Sequence, residues 1–261
     1  MDYTIKEFYV GKEGQRIYGQ AFLPEGAGPD RPCPLVIFSH EFGADHTTGE
    51  AYGRHLASEG VAYCAFDFRG GSAEGNRSDG STLDMSVITE EDDLSEALDE
   101  ALTWDFVDRD QVFLMGGSQG GVVTSLLAPR RAADIRGIIL NYPAFVLVDD
   151  AHGRFESLDE VPEEVPFFDG WITVGRRYIA DMWDLDLFGE VGAYRGPVLL
   201  NHGDLDPIVP LSYAKRAAKR YEKCEFHVIE GAEHGFRGEA CLKVMQLIDR
   251  WLKEQGVQLG A

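Results

Sequence analysis

Hydrophobic positions along this chain follow two kinds of pattern, and each predicts a different kind of strand. Near the amino terminus, residues 4–10 and 15–22 alternate between apolar and polar, which is typical of half-buried antiparallel edge strands. A loop rich in Pro and Gly, residues 24–34, ends that pattern. Later apolar runs are short and nearly continuous, as expected of parallel strands covered on both faces. These runs are residues 35–38, 61–66, 112–115, 137–140, 197–200 and 225–229.

Helical segments are predicted between the buried runs. The segment that opens near Thr89 has four consecutive carboxylates, which suit the positive end of a helix dipole, and Thr89 is the expected N-cap. Strands that alternate with helices predict an α/β fold with a mainly parallel, doubly wound sheet and right-handed crossovers. Functional residues should then gather at the carboxyl ends of the strands. The other predicted helices are residues 50–59, 120–127, 212–221 and 238–254.

One stretch, residues 142–194, departs from this alternation and is called the insertion below. It contains Pro162, Pro166, acidic residues and several aromatic residues. A loop-rich segment of this length after a core strand is more often a lid or a binding element than a simple connection. We therefore expect residues 1–261 to form one domain with a small inserted lid.

The net charge of the chain limits the kinds of molecule that it is expected to bind. Lys and Arg total 24 against 45 Asp and Glu, a net charge of −21, and such a field repels nucleic acid and anionic membranes. No run approaches the roughly 18 apolar residues of a membrane span, and the amino terminus does not read as a secretory signal. We expect a cytoplasmic protein whose partner is a small molecule, with a homodimer left open. Cys33, Cys64, Cys224 and Cys241 have no zinc-ligand spacing and are expected to be reduced thiols.

The sequence Gly116-Gly117-Ser118-Gln119-Gly120 carries the main chemical signal. It is a G-x-S-x-G motif between a buried apolar run and a helix-forming stretch, the context that a nucleophile elbow requires. In that elbow the serine occupies a tight, strained turn that exposes its hydroxyl above the sheet. Ser118 is therefore the candidate nucleophile.

A serine nucleophile needs a base, and the base needs a carboxylate that fixes its tautomer. For a strand-turn-helix nucleophile these partners should follow in the order Ser, Asp, His, in loops after later strands. Residues 201–210 contain Asp204 and Asp206, and residues 230–236 contain His234. His40 and His202 stand at strand ends and are expected to stabilise loops near the site. The remaining histidines lack a context suited to a triad: His46, His55, His152 and His227.

These loops resemble those of the α/β-hydrolase family, in which an H-G-x-x-D-x-x-V-P segment supplies the acid. Residues 202–210 read HGDLDPIVP. The resemblance implies that the acid is Asp206 and not Asp204, with His234 as the general base and Ser118 as the nucleophile.

An acyl-transfer site also needs two donors aimed at the oxyanion. One should be the backbone N–H of Gln119, which follows the nucleophile. Related hydrolases usually show His-Gly-aromatic after the strand at residues 35–38, so the resemblance assigns the second N–H to Phe42. This chain has Glu41 where glycine is common, which leaves the role of that carboxylate open.

A narrower resemblance is to the bacterial feruloyl or cinnamoyl esterases. It rests on Ser-Gln-Gly-Gly at residues 118–121, on the acid and histidine loops, and on an insertion at the same position. It implies hydrolysis of hydroxycinnamic esters through an acyl-Ser118 intermediate. By position, Asp150 and Tyr178 resemble the Asp and Tyr that contact the hydroxyl groups of the substrate's aromatic ring.

Two other functions use the same features. A serine peptidase would have the same triad, and a non-catalytic binding protein would keep the scaffold without the activity. There is no H-E-x-x-H, no other metal-ligand cluster and no G-x-x-x-x-G-K-S/T, so no metal and no cofactor are expected.

Overall fold

The computed structural model describes residues 2–260, and eight of the strands in that range form one sheet. The sheet has the order β1-β2-β4-β3-β5-β6-β9-β10, and β7 and β8 form a separate hairpin. β2 is antiparallel to both of its neighbours, and all the other neighbours in the large sheet are parallel. The strands are β1 (Tyr3–Val10), β2 (Ile17–Pro24), β3 (Cys33–Ser39), β4 (Ala62–Phe66), β5 (Val107–Gly117), β6 (Gly137–Asn141), β7 (Glu164–Phe167), β8 (Ile172–Gly175), β9 (Pro197–Gly203) and β10 (Lys223–Ile229).

Helices cover both faces of the sheet, as the continuous apolar runs predict. In β3, Leu35 and Ile37 belong to one hydrophobic core, and Val36 and Phe38 belong to a second core on the opposite face. The first core includes residues of α2, α3 and α7, and the second includes residues of α1 and α8. The helices are α1 (Glu50–Ser58), α2 (Val87–Ala101), α3 (Ser118–Arg130), α4 (Leu147–Arg154), α5 (Arg176–Trp183), α6 (Leu187–Ala193), α7 (Leu211–Ala218) and α8 (Gly238–Glu254).

Two details near the amino terminus differ from the sequence prediction. β2 is buried along nearly its whole length, because it lies between β1 and β4 and only β1 forms the edge. The N-cap of α2 is Ser86 and not Thr89. The Ser86 side chain accepts from the N–H of Thr89, and the Thr89 hydroxyl accepts from the N–H of Ser86, so the two residues form a capping box.

The insertion is more regular than predicted. It contains α4, the β7–β8 hairpin, α5 and α6, with the hairpin turn formed at Phe168 to Gly170. Its helices lie against the core, since α5 contacts α2 and α6 contacts α3. Within residues 2–260, no helix combines the length and the apolar character needed to cross a membrane.

Candidate active site

The candidate nucleophile lies at the sharp junction of β5 and α3. Ser118 is the first residue of α3 and has a φ of +48°, a left-handed conformation that costs a non-glycine residue about 1 to 3 kcal/mol. Two glycines make the turn possible. A Cβ at Gly120 would lie 2.2 Å from the carbonyl oxygen of Ser39, and one at Gly116 would lie 2.2 Å from that of Gly120. The local geometry is that of the elbow predicted from the sequence.

The structure brings Ser118, His234 and Asp206 into one hydrogen-bonded chain. His234 Nε2 lies 2.9 Å from Ser118 Oγ, and His234 Nδ1 lies 2.8 Å from Asp206 Oδ2. The other oxygen of Asp206 accepts from the N–H groups of Ile208 and Val209, at 2.9 and 2.8 Å. Burial raises the pKa of Asp206, but the hydrogen bonds from His234 and Val209 outweigh burial, and the net pKa is lowered. The ionised carboxylate is therefore held facing the histidine.

The second acid of this loop has another partner. Asp204 Oδ1 accepts from the N–H of Gly231 at 2.6 Å, so it joins the acid loop to the histidine loop instead of shaping only its own turn. His202 Nε2 donates to the carbonyl oxygen of Val209 at 2.9 Å. Burial lowers the pKa of His202, which favours the neutral ring. Both residues hold the loop that carries Asp206.

The two candidate oxyanion donors are the backbone N–H groups of Phe42 and Gln119. Neither N–H donates a hydrogen bond to another group among residues 2–260. Gln119 is in the first turn of α3, where the helix dipole favours negative charge. The loop before Phe42 is held by His40, whose Nε2 accepts from the N–H of Phe68 at 3.2 Å and whose Nδ1 donates to the carbonyl oxygen of Glu41 at 2.8 Å.

The side chain of Gln119 belongs to a buried network that the sequence did not indicate. Its Nε2 donates to Glu90 Oε2 at 2.8 Å, and its Oε1 accepts from the Tyr178 hydroxyl at 2.5 Å. Burial raises the pKa of Glu90 well above its ordinary value; the Gln119 hydrogen bond opposes this rise and Asp93 adds to it. Glu90 lies in the first turn of α2, among the carboxylates expected at that helix start, and it is also a buried partner of the residue that follows the candidate nucleophile.

Asp150 and Tyr178 lie on α4 and α5, and they differ in burial. Tyr178 is buried and its hydroxyl is directed at Gln119, whereas Asp150 is exposed and its carboxylate makes no hydrogen bond within residues 2–260. Burial raises the pKa of Tyr178, and the charges of Glu90 and Asp150 raise it further. The structure does not join Asp150 and Tyr178 in a hydrogen bond.

An aromatic wall links the insertion to the loop after β3 that carries Phe42, which is called the oxyanion loop below because Phe42 is a candidate oxyanion donor. The ring of Phe42 lies 5.3 Å from that of Tyr178 and 5.4 Å from that of Phe167, measured between centroids. The hairpin turn adds Phe168, which is 61% exposed, and Trp171, which is 50% exposed. Apolar rings therefore line the approach to the elbow on the side of the insertion.

An open cleft lies beside the histidine. It has a volume of about 440 Å³, and His234, Ile208, Glu233 and Arg237 are among its lining residues. The structure therefore leaves space next to His234 on the side of the acid and histidine loops.

Within residues 2–260, one group of side chains has the spacing of metal ligands: Asp45, His46 and Asp67. Asp67 accepts three hydrogen bonds: one oxygen accepts from the backbone and the ring of His46, and the other accepts from the N–H of Arg77. These hydrogen bonds brace the loop that follows β4.

Comparison with known proteins agrees with this geometry. Among solved structures, Est1E from Butyrivibrio proteoclasticus with ferulic acid bound superposes with a TM-score of 0.84 at 25% sequence identity, covering 95% of this chain and 98% of that one. The fold and the site define a serine hydrolase of the α/β-hydrolase fold, as predicted. Residues 51–257 match the model of the prolyl oligopeptidase family, so the chain belongs to that family.

The curated proteins that this chain resembles in sequence are named as peptidases. The chain is 31% identical to human dipeptidyl peptidase 8 over 259 residues and 32% identical to dipeptidyl aminopeptidase BIII from Pseudoxanthomonas mexicana over 205 residues. These alignments cover 89% and 73% of this chain but only 28% of each relative. The family match, residues 51–257, spans the candidate nucleophile and both of its hydrogen-bonded partners.

Proposed function

We propose that this protein is a carboxylic ester hydrolase that cleaves esters of hydroxycinnamic acids through an acyl-Ser118 intermediate. The observation that carries the proposal is the continuous chain of hydrogen bonds from Ser118 through His234 to Asp206. A serine hydroxyl donating to a histidine that a carboxylate orients is the arrangement that activates serine for attack on an acyl carbon.

The steps follow from the atoms in contact. His234 Nε2 accepts the Ser118 proton while Oγ attacks the ester carbonyl, and Asp206 stabilises the imidazolium that forms. The N–H groups of Phe42 and Gln119 stabilise the oxyanion. The intermediate collapses as His234 returns the proton to the leaving alcohol, which departs. His234 then activates water, and the acyl group is released as a carboxylic acid.

Two observations support an aromatic acyl group. The aromatic wall formed by Phe42, Phe167, Phe168 and Tyr178 offers a surface on which a planar ring can pack. The second is the likeness to Est1E, whose structure holds ferulic acid. The exposed carboxylate of Asp150 would accept a hydrogen bond from a phenolic hydroxyl of that ring.

A serine peptidase is the second candidate function, and the family match and the dipeptidyl peptidase relatives favour it. Ser118, His234 and Asp206 would perform the same steps on an amide. A peptidase also needs a group that binds a peptide terminus, and the chain spans only 28% of the relatives that carry the peptidase names.

A panel of substrates separates the two candidates. Methyl 4-hydroxycinnamate, methyl cinnamate, short nitrophenyl esters and aminoacyl nitroanilides would be assayed side by side, and kcat/KM compared. We expect the hydroxycinnamate ester to be hydrolysed best. Amides hydrolysed as well as or better than every ester would overturn the esterase proposal in favour of the peptidase.

Replacement of Asp150 by Ala tests recognition of the phenolic hydroxyl. The change should lower kcat/KM for methyl 4-hydroxycinnamate by about 5- to 150-fold, which is about 1 to 3 kcal/mol in transition-state free energy. The reason is that the substrate hydroxyl loses a charged acceptor on leaving water. Methyl cinnamate and nitrophenyl acetate should be much less affected. Asp149→Ala is the matched control, since that neighbouring carboxylate is already bonded to the Tyr213 hydroxyl. Equal losses on the two cinnamates would remove Asp150 from substrate recognition.

Tyr178→Phe should behave differently, although both residues were expected to recognise the same hydroxyl group. Its hydroxyl is the donor to Gln119 Oε1, so the change leaves a buried acceptor unpaired beside an oxyanion donor. We therefore expect activity to fall on nitrophenyl acetate as well as on the cinnamates.

A further inference from the structure

Glu41 occupies the position where the sequence departs from the related hydrolases, and its two carboxylate oxygens differ in their surroundings. Its Oε1 accepts a hydrogen bond from the Tyr142 hydroxyl at 2.8 Å. Its Oε2 is buried and has no hydrogen-bond partner among residues 2–260. The residue directly precedes Phe42, whose N–H is a proposed oxyanion donor.

The pair formed by Glu41 and Tyr142 lies against the elbow itself. A Cβ at Gly117, the residue before Ser118, would lie 2.6 Å from Glu41 Oε1 and 3.2 Å from the Tyr142 hydroxyl. A side chain at this position would therefore displace the Glu41 carboxylate from its place against the elbow. The hydrogen bond links the loop after β3 to the first residue after β6, across the strand that carries the nucleophile.

Tyr142 in turn supports the general base. Its ring meets the His234 imidazole with centroids 5.0 Å apart and planes at 63°, and it meets Phe236 at 4.8 Å and 82°. The conformation is strained, because Tyr142 has a φ of +39° and precedes Pro143, which disfavours such backbone angles. One backbone contact holds it, a bond from the Tyr142 N–H to the carbonyl oxygen of Asn201 at 2.7 Å.

We propose that Glu41 and Tyr142 are positioning residues for the reaction: their hydrogen bond fixes the Tyr142 ring against His234 and ties the general base to the oxyanion loop. This inference rests on the proposed roles of His234 and Phe42. A phenol without its acceptor could rotate away and leave one face of the imidazole unsupported. The distance from His234 Nε2 to the serine oxygen would then vary, and the rate of acyl transfer is sensitive to small displacements of this kind.

Single and double variants test the link, with nitrophenyl acetate as a substrate that needs no aromatic recognition. Tyr142→Phe keeps the ring and removes the hydroxyl, and we expect kcat to fall about tenfold with KM within about twofold of wild type. Glu41→Ala should give a similar loss. Glu41→Gln retains an acceptor oxygen and should recover kcat to within about threefold of wild type.

The double variant gives the sharpest comparison. Because both single changes break one hydrogen bond, Glu41→Ala with Tyr142→Phe should lose no more activity than Glu41→Ala alone. Tyr63→Phe is the matched control, since it removes another buried tyrosine hydroxyl, one that has no hydrogen-bond partner among residues 2–260, and should leave kcat unchanged. Thermal unfolding of each variant shows whether it is folded at the assay temperature.

Three results would overturn the inference: Tyr142→Phe within twofold of wild-type kcat, losses that multiply in the double variant, or a Glu41→Gln protein as impaired as Glu41→Ala. In each of these cases wild-type esterase activity persists, so the proposed function would still hold. If instead the wild type cleaves only aminoacyl amides, the esterase proposal fails, and the same variants are compared on the amide substrate.

Discussion

Ser118→Ala is expected to yield a folded protein whose ester hydrolysis is lower by about 10⁵-fold or more. The nucleophile and its base act as a unit, so removing the attacking oxygen eliminates the acyl-enzyme route. The fold should survive, because within residues 2–260 the hydroxyl of Ser118 hydrogen-bonds only to His234, and alanine adds no atoms to the tight turn. What remains should be the slow reaction promoted by the oxyanion donors alone.

Active-site titration makes this measurement independent of contaminating esterases. Wild-type protein should release one nitrophenolate per chain in a burst and should react with a fluorophosphonate probe. The alanine protein should do neither. A variant that kept a tenth of the wild-type kcat, or that still bound the probe, would contradict the assignment of Ser118.

Asp206→Asn is expected to reduce kcat by about 10⁴-fold. An amide in place of the carboxylate can donate to His234 Nδ1 and so stabilise the tautomer that cannot accept the serine proton. The fold should be retained, because the amide oxygen of asparagine can still accept from the N–H groups of Ile208 and Val209.

Asp204→Asn is the matched control in the same loop. Its side-chain oxygen accepts from the N–H of Gly231, and the oxygen of asparagine can do the same. We expect kcat within about threefold of wild type and little change in the temperature of unfolding. Equal losses of kcat for Asp204→Asn and Asp206→Asn, with both proteins folded, would undo the choice between the two acids.

The parallel core was predictable because strands covered on both faces carry continuous apolar runs, and those at residues 35–38 and 137–140 appear as β3 and β6. The position of β2 in the sheet and the N-cap of α2 were harder to predict from the sequence. Residues 15–22 alternate like an edge strand, yet β2 is interior, since β1 pairs on its outer side. Thr89 has the chemistry of an N-cap, but Ser86 competes for that role, and only the capping box decides between them.

The positions of the candidate triad could be predicted from the sequence, because each of the three residues follows a buried run at the same edge of the sheet. The hydrogen bonds that support this site could not be predicted, since they join residues far apart in sequence. Glu90 meets Gln119 across 29 positions, and Glu41 meets Tyr142 across 101. The sequence marked Glu41 as unusual, but no local pattern indicated its partner.

The hydrogen bond between Tyr178 and Gln119 has a consequence for protein engineering. The insertion, residues 142–194, joins the core at only two points of the chain, which makes such a segment attractive to exchange between hydrolases. Replacing this segment would remove the Tyr178 phenol, which donates a hydrogen bond to Gln119 beside the candidate nucleophile. It would also remove the rings that pack on Phe42. A graft that aims at new substrates must therefore supply a donor at the place of Tyr178, or be accompanied by a redesigned partner for Gln119.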